Sequence, residues 1–599
     1  MKKLLLLFCL LPSLGYGQYW GERVTEKSFE QSSLYFKSYF LNPYGLHRFG
    51  DAAVGLIDDS FLNLHLNPAH LPELDGKDYL IYLDFRGDRT EEKVIDNYYA
   101  MPVYDFYYYP EYYDNRWYNI TRDEPQPTMS FGILSYPFGR YKNGPFLGGT
   151  YQMIYKQEKY YTVPAWNYIY RFGYDAFGEN TLVDAPIIPV EDRYFGKDEL
   201  LTQAHLFSLF TGFSPSEKLA LGLSLNRTTH SRDGGYINSR NDEYGVSYDY
   251  EWHRYDEESR TQDYDHLDIS GGIRYQFSDD FTGGAKMGYL SGNAGQSFLT
   301  LDSSDYSWNN PDVSTRWGYN LGSSRTDKTW NRDGDTWYGR ISLEREIGHD
   351  KKIFAYYRYG RSNIDITNTL TVRDTSYYAS QYSYDTMTYY YEGFSWTHDD
   401  RTGYGTRKEY SHQAMISNKW KLKNSHTVYA GLYFARSKTI QQSDEPVIAE
   451  RWSESQSEIN GTPSYSYQRG MFEDKFLEWE YESTYWTIQI PVMLQIKAAD
   501  FLNLTFGVNR ILEGWKTSDI TTAYFTIREE NYNGIIDSET YFGERYTQPV
   551  ENITEDETAI ITNFDVSVSD QFNIRLLLNP DIENDFRIAE WWLSFQFKP

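Results

Sequence analysis

Side chains capable of catalysis are plentiful in this chain, but no spacing gathers them. There are 11 His, yet the sequence has no Gly-x-Ser-x-Gly elbow, no His-Glu-x-x-His pair and no phosphate-cradling Walker loop. His65 and His70 have a poor spacing for a shared metal. Asn331-Arg332-Asp333-Gly334-Asp335 opens like a calcium loop but lacks the later ligands. No catalytic residue, cofactor site or metal ligand is assigned, and an enzyme is not expected. Two other groups carry recognition chemistry. One is a set of polar residues inside alternating apolar runs: Arg274, Lys286, Arg340, Glu344, Arg358, Asp565 and Glu590, with Asn226, Gln276 and Asn509. The other is aromatic: Tyr104-Asp105-Phe106-Tyr107-Tyr108-Tyr109-Pro110 and Tyr389-Tyr390-Tyr391. Tyrosine joins an apolar body to a polar handle, which suits sugar or protein recognition.

The composition limits what can position these groups. The 599 residues carry a net charge of −28, with 59 Tyr, 34 Phe and 16 Trp, and the mean hydropathy is −0.67. Helical membrane spans each need about 20 consecutive apolar residues, so a helix bundle is excluded. An acidic chain lacks the basic face of a nucleic-acid binder. Its aromatic richness argues against disorder. Lys2 and Lys3, the apolar run from Leu4 to Leu11, and Gly15-Tyr16-Gly17 read as a cleaved secretory signal over residues 1–17. Cys9, the single cysteine, lies inside that run behind the bulky Phe8. This excludes a lipid anchor at Cys9 and leaves the exported chain without disulfides, as fits a Gram-negative envelope protein.

Beyond the signal the pattern has period two, which marks strands. Leu219, Leu221, Leu223 and Leu225 alternate with Ala220, Gly222, Ser224 and Asn226. Similar runs cover 267–277, 488–497 and 502–509, and a final one, from Ala589 to Phe597, ends on an aromatic. Short turns such as Ser278-Asp279-Asp280 and Gly348-His349-Asp350 recur. Between them lie long acidic, Tyr-rich segments at roughly 88–127, 158–201, 232–264, 294–335, 366–407, 441–481 and 514–556. Short turns on one side and long connections on the other define a transmembrane antiparallel up-and-down β-barrel. Both termini fall on the short-turn side, so the strand count is even, about 16 within a range of 14–18. In that frame the long segments are extracellular loops, or else strands that carry the barrel beyond the membrane. Charges are costly on the lipid face, so the polar set above faces the lumen. There it either lines a wet pore or pairs across the interior.

Residues 50–59 read Gly-Asp-Ala-Ala-Val-Gly-Leu-Ile-Asp-Asp, and Leu66-Asn67-Pro68-Ala69-His70-Leu71 follows. This segment resembles the N-terminal signature of FadL-type barrels, the long-chain fatty-acid transporter superfamily, and of its PorV-like secretion-associated members. The resemblance implies that Asn67, Pro68 and Ala69 sit at or in the barrel. It also implies a barrel that moves hydrophobic molecules or docks exported proteins. His70 stands where that family carries Gly. A TonB-dependent receptor is set aside: such plugged transporters have roughly 22 strands, and only about 60 residues separate Gln18 from the first strand. The expected organisation is a signal over 1–17, a periplasmic or lumenal segment over 18–77 and a barrel over 78–599. The expected location is the Gram-negative outer membrane, in contact with its lipid, with no nucleic-acid partner. The expected function is passive passage of a hydrophobic or amphipathic solute. The alternative is a surface protein that binds a glycan or an exported protein, with the barrel as anchor. Occupancy of the lumen separates the two.

Overall fold

A computed structural model describes residues 52–57, 59–72, 74, 79–88, 129–137, 145–159, 199–245, 249–310, 316–348, 350–384, 386–422, 426–547, 550–581 and 587–598. The signal segment, the Tyr104–Pro110 run and the turn at 139–144 lie outside these residues.

Among the described residues one short helix, α1 (Ser60–Leu66), precedes seventeen strands. They are β1 (Tyr79–Asp88), β2 (Met129–Ser135), β3 (Phe146–Lys159), β4 (Glu199–Ser216), β5 (Leu219–Gly245), β6 (Asp249–Ser278), β7 (Phe281–Asn309), β8 (Trp317–Ile347) and β9 (Lys351–Tyr384). The second half holds β10 (Met387–Lys421), β11 (Thr427–Ile459), β12 (Thr462–Ala499), β13 (Leu502–Tyr532), β14 (Ile535–Thr547), β15 (Glu551–Ser569), β16 (Phe572–Asp581) and β17 (Arg587–Phe597). Each strand pairs antiparallel with its sequence neighbour, except that β14 and β15 both pair with β13. β1 closes the ring on β17, with Ile81 opposite Phe597. β14 takes the far half of β13, from Ile520 to Tyr532, and β15 takes the near half, from Leu502 to Thr517. They are two pieces of one descending strand. The wall is therefore a closed ring of sixteen with an even parity, as the turn pattern predicts.

Near the short turns the outer face is apolar. Leu223 and Leu225, Leu267 and Ile269, Leu432 and Phe434, and Phe506 and Val508 are all exposed. On four strands this run ends at an exposed arginine: Arg227 after Leu225, Arg361 after Tyr359, Arg436 after Phe434 and Arg510 after Val508. The run is about 8–10 residues per strand, close to the roughly 9–11 that a tilted strand needs to cross a bilayer, and the arginines mark its rim.

The strands do not stop there. β9, β10 and β12 have 34, 35 and 38 residues. Wherever they are described, the segments expected as long loops are paired strands. β9 and β10 stay in register from Trp420–Lys351 to Met387–Tyr384. The correction has a simple cause. Above the membrane the outer face meets water and the buried inner face mixes apolar side chains such as Val447 and Leu477 with polar ones such as Glu445 and Lys475, so the apolar alternation fades while backbone pairing continues. The wall from β5 to β14 thus projects well past the apolar band.

Candidate functional site: a filled lumen

The N-terminal segment lies inside the barrel. Asp59 caps α1 by accepting from the backbone N–H groups of Phe61 (2.9 Å) and Leu62 (3.2 Å). Phe61, Leu62, Leu64 and Leu66 are all buried. Phe61 and Leu64 pack with Tyr82, Leu134, Phe146 and Phe210 on β1 to β4. On the other side Ala52, Val54, Leu56 and Leu66 pack with Phe354, Tyr356, Met415, Tyr433, Met493 and Ile561 on β9 to β12 and β15. A short segment that touches so many strands is a plug.

Polar contacts fix its position. The Asn67 side-chain amide donates to the carbonyls of Ile273 (3.0 Å) and Ala285 (3.2 Å), and its oxygen accepts from the Ala69 N–H (3.0 Å). Pro68 sits against Gly222, and Asn67 against Gly272. A Cβ at either glycine would collide with the plug, so these wall positions must be bare. Gly55 adopts a positive φ of 85° against the Phe354 ring, a backbone shape that favours glycine. Its carbonyl accepts from Ser417 Oγ at 2.6 Å.

The residues assigned to the lumen from the sequence occupy several layers. Lys286 Nζ donates to the His65 carbonyl (3.0 Å), and Arg340 donates to the Leu66 carbonyl (3.2 Å). These are carbonyls of the last turn of α1, where cations are favoured. Arg358 stacks over the Tyr338 ring at 4.8 Å, and the Tyr338 hydroxyl donates to Asp268 at 2.8 Å. Asn226 also donates to Asp268. Nearer the short turns Glu344 binds Lys352 (2.9 Å) and Arg274 (3.4 Å), with His70 of the plug at 4.0 Å. Asp565 pairs with Arg575 at 2.9 Å. Asn509 donates to Gln489. Gln276 and Glu344 line a cleft of ≈250 Å³ near the short turns. Glu590 stands on β17 opposite Asp88, and its side chain lies outside the described residues. Glu344 and Asp565 thus form ion pairs within the lumen, while Lys286, Arg340 and Arg358 bond backbone carbonyls or a ring.

Above the plug a second layer crosses the interior. Tyr264 (β6), Leu290 and Ala294 (β7) and Ile364 and Ile366 (β9) form one buried cluster with Trp479 and Tyr481 of β12. Higher still, Arg401–Asp399 and Lys475–Glu473 are buried pairs, each at 2.8 Å. A cavity between plug and wall beside Gly55, His70 and Phe354 measures ≈30 Å³. Among the described residues no group of His, Cys, Asp and Glu is placed to hold a metal ion. The helix-end contacts of Lys286 and Arg340 leave no trace in the sequence, because their partners are backbone carbonyls with no side-chain signature.

Fold and site define a closed, internally plugged β-barrel with a lipid-facing band. No family model matches the chain, and no curated relative matches it. Among solved structures, the siderophore receptor PiuA from Acinetobacter baumannii is 8% identical, with 87% of this chain and 81% of that chain covered and a TM-score of 0.24. The ferric yersiniabactin uptake receptor FyuA from Yersinia pestis is 9% identical, with 87% and 79% covered and a TM-score of 0.28. The copper transporter OprC is 7% identical, with 87% and 80% covered and a TM-score of 0.25. Likenesses this low carry no argument about what this chain does.

Proposed function

We propose that this is a Gram-negative outer-membrane transport protein whose barrel is held shut by its own N-terminal segment, and whose passage opens only when that segment moves. The observation that carries the reading is the plug itself. It is a distinct segment, packed into two apolar clusters and fixed by polar contacts on a wall kept bare with glycines. A free continuous passage does not fit the filled lumen, so the passage is gated. A hydrophobic or amphipathic solute follows from the FadL-like segment alone, and it is the finer part of the proposal. Liposome swelling with solutes of graded size and polarity tests it. Intact protein should admit none of them, and protein lacking residues 18–75 should admit some.

A second reading, an anchored surface-binding protein, is favoured by two observations. One is the apolar layer that joins β6, β7 and β9 to β12 across the lumen. The other is the wall that projects beyond the band. In that case removal of residues 18–75 leaves the liposomes tight.

A further inference from the structure

The strands of the projecting wall keep their parity. The β8–β9 and β9–β10 ladders run without a register shift, so the side that carries Arg340 and Arg358 low in the lumen carries Ser324, Asp374, Ser376, Tyr378 and Tyr382 higher up. This is the concave face of the wall. A groove of ≈220 Å³ crosses four strands there, lined by Asp302 of β7, Ser324 of β8, Asp374 and Ser376 of β9, and Ser395 of β10, among others. Ser324 donates to Asp374 at 2.5 Å, and the hydroxyls of Ser376 and Ser395 bond at 2.8 Å.

Directly beyond this groove the β9–β10 hairpin presents tyrosines row after row. Tyr378 lies across the bare backbone of Gly393. Tyr382 is stacked on Tyr389 (4.9 Å, 13°) and near-parallel to Tyr391 (6.0 Å, 7°). The rings are open to water: Tyr378, Tyr382 and Tyr391 are 44%, 40% and 37% exposed. Successive rows on one face are about 7 Å apart, so the ladder is long enough to carry several linked rings. Ser376 stands 15 residues beyond the rim arginine Arg361, about 50 Å along the strand, so these rings are not membrane-belt residues.

We propose that this concave face is a carbohydrate-binding site. The tyrosine ladder stacks sugar rings, and the Asp302–Asp374 groove accepts hydrogen bonds from their hydroxyl or amino groups. Flat faces with polar rims suit pyranose rings, whose own faces are apolar and edges hydroxylated. Two carboxylates in the groove select neutral or amine-bearing chains and repel anionic ones. The site does not depend on whether the plug moves.

The test is a glycan microarray holding neutral, amine-bearing and anionic oligosaccharides, probed with the full-length protein in detergent. Neutral or amine-bearing glycans should bind. Tyr382→Ala and Tyr378→Ala should each weaken binding by about tenfold, while Tyr382→Phe, which keeps the ring, should stay within about threefold. Asp374→Asn should weaken amine-bearing glycans more than neutral ones. Heat-modifiable gel migration confirms that each variant is folded. The proposal fails if no glycan binds, if anionic glycans bind equally well, or if folded Tyr378→Ala and Tyr382→Ala bind like the parent. A protein partner captured by the same face in place of any glycan would also overturn it.

Discussion

Lys286 Nζ lies 3.0 Å from the carbonyl oxygen of His65, a residue 221 positions earlier in the chain. The bond joins the middle of the wall to the end of a seven-residue helix. A helix that short has little stability of its own. It persists because its apolar side chains are buried, Asp59 caps one end, and Lys286 and Arg340 take up carbonyls at the other.

Removing both cations should loosen the plug without unfolding the barrel. Hydrogen bonds to charged donors contribute about 1.5–3 kcal/mol each. In Lys286→Met/Arg340→Met, amide exchange over residues 60–67 should therefore rise by at least about tenfold, with β11 and β12 unchanged. Equal exchange in both proteins would remove the latch role.

The bare glycines give a steric test. Gly222→Leu places a side chain where the Pro68 backbone now sits. The variant should still insert and migrate as a heat-modifiable barrel, because the wall's lipid face is untouched. Its residues 52–72 should become open to protease. Continued protection would mean that the segment is seated elsewhere.

Arg528 should control the outer piece of the interrupted strand. It bonds Glu473 (2.8 Å) and Glu544 (3.1 Å), and its guanidinium lies 4.1 Å from the Phe525 ring centroid, beside the Phe525–Phe542 stack. Arg528→Ala leaves Glu473 with Lys475 alone. Exchange over residues 535–547 should rise by about tenfold, corresponding to about 1.4 kcal/mol, while residues 502–517 keep their β15 pairing and their protection. A uniform rise along β13 would contradict a local role.

The far end of the wall should respond to pH at both extremes. Glu392 accepts from Gln456 (2.9 Å), Tyr377 (3.0 Å) and Tyr390 (3.1 Å). The Gln456 bond first, then that of Tyr377, holds its carboxyl below the usual 4.5. Its contribution is present above that usual value and is lost as pH falls through the lower folded value. Loss of hydration, then the bond to Glu392, pushes the Tyr390 phenol up to about 12. That contribution is complete below 10 and is lost as pH rises through about 12. Exchange of amides 376–395, corrected for intrinsic rates, should be flat between these limits and rise outside them. In Glu392→Gln the acid-side rise should vanish.

The lower half of the barrel is legible in the sequence because lipid enforces alternation. Leu219 to Leu225 can only be a strand with one greasy face, and its partners Asn226 and Gly222 can only face inward. The same parity assigns Lys286, Arg340 and Glu344 to the lumen, but not their partners. The His65 and Leu66 carbonyls leave no mark on side-chain identity, and the Asn67 contacts depend on wall backbones more than 200 positions away. The upper wall reads as loop because its outer face meets water and its buried inner face sets charges such as Glu445 and Lys475 among apolar residues such as Val447 and Leu477, which breaks the apolar rhythm. Asp302 and Asp374 meet only through the shared register of β7, β8 and β9. No local motif announces that groove.

Residues 52–74 should close a passage that the barrel otherwise provides. Planar-bilayer recording measures this directly on purified protein, intact and lacking residues 18–75. The intact chain should leave the membranes silent, and the chain without the segment should give discrete, lasting conductance steps. Silence from both, with the shortened barrel inserted and heat-modifiable, would contradict it and leave a sealed barrel that serves as an anchor.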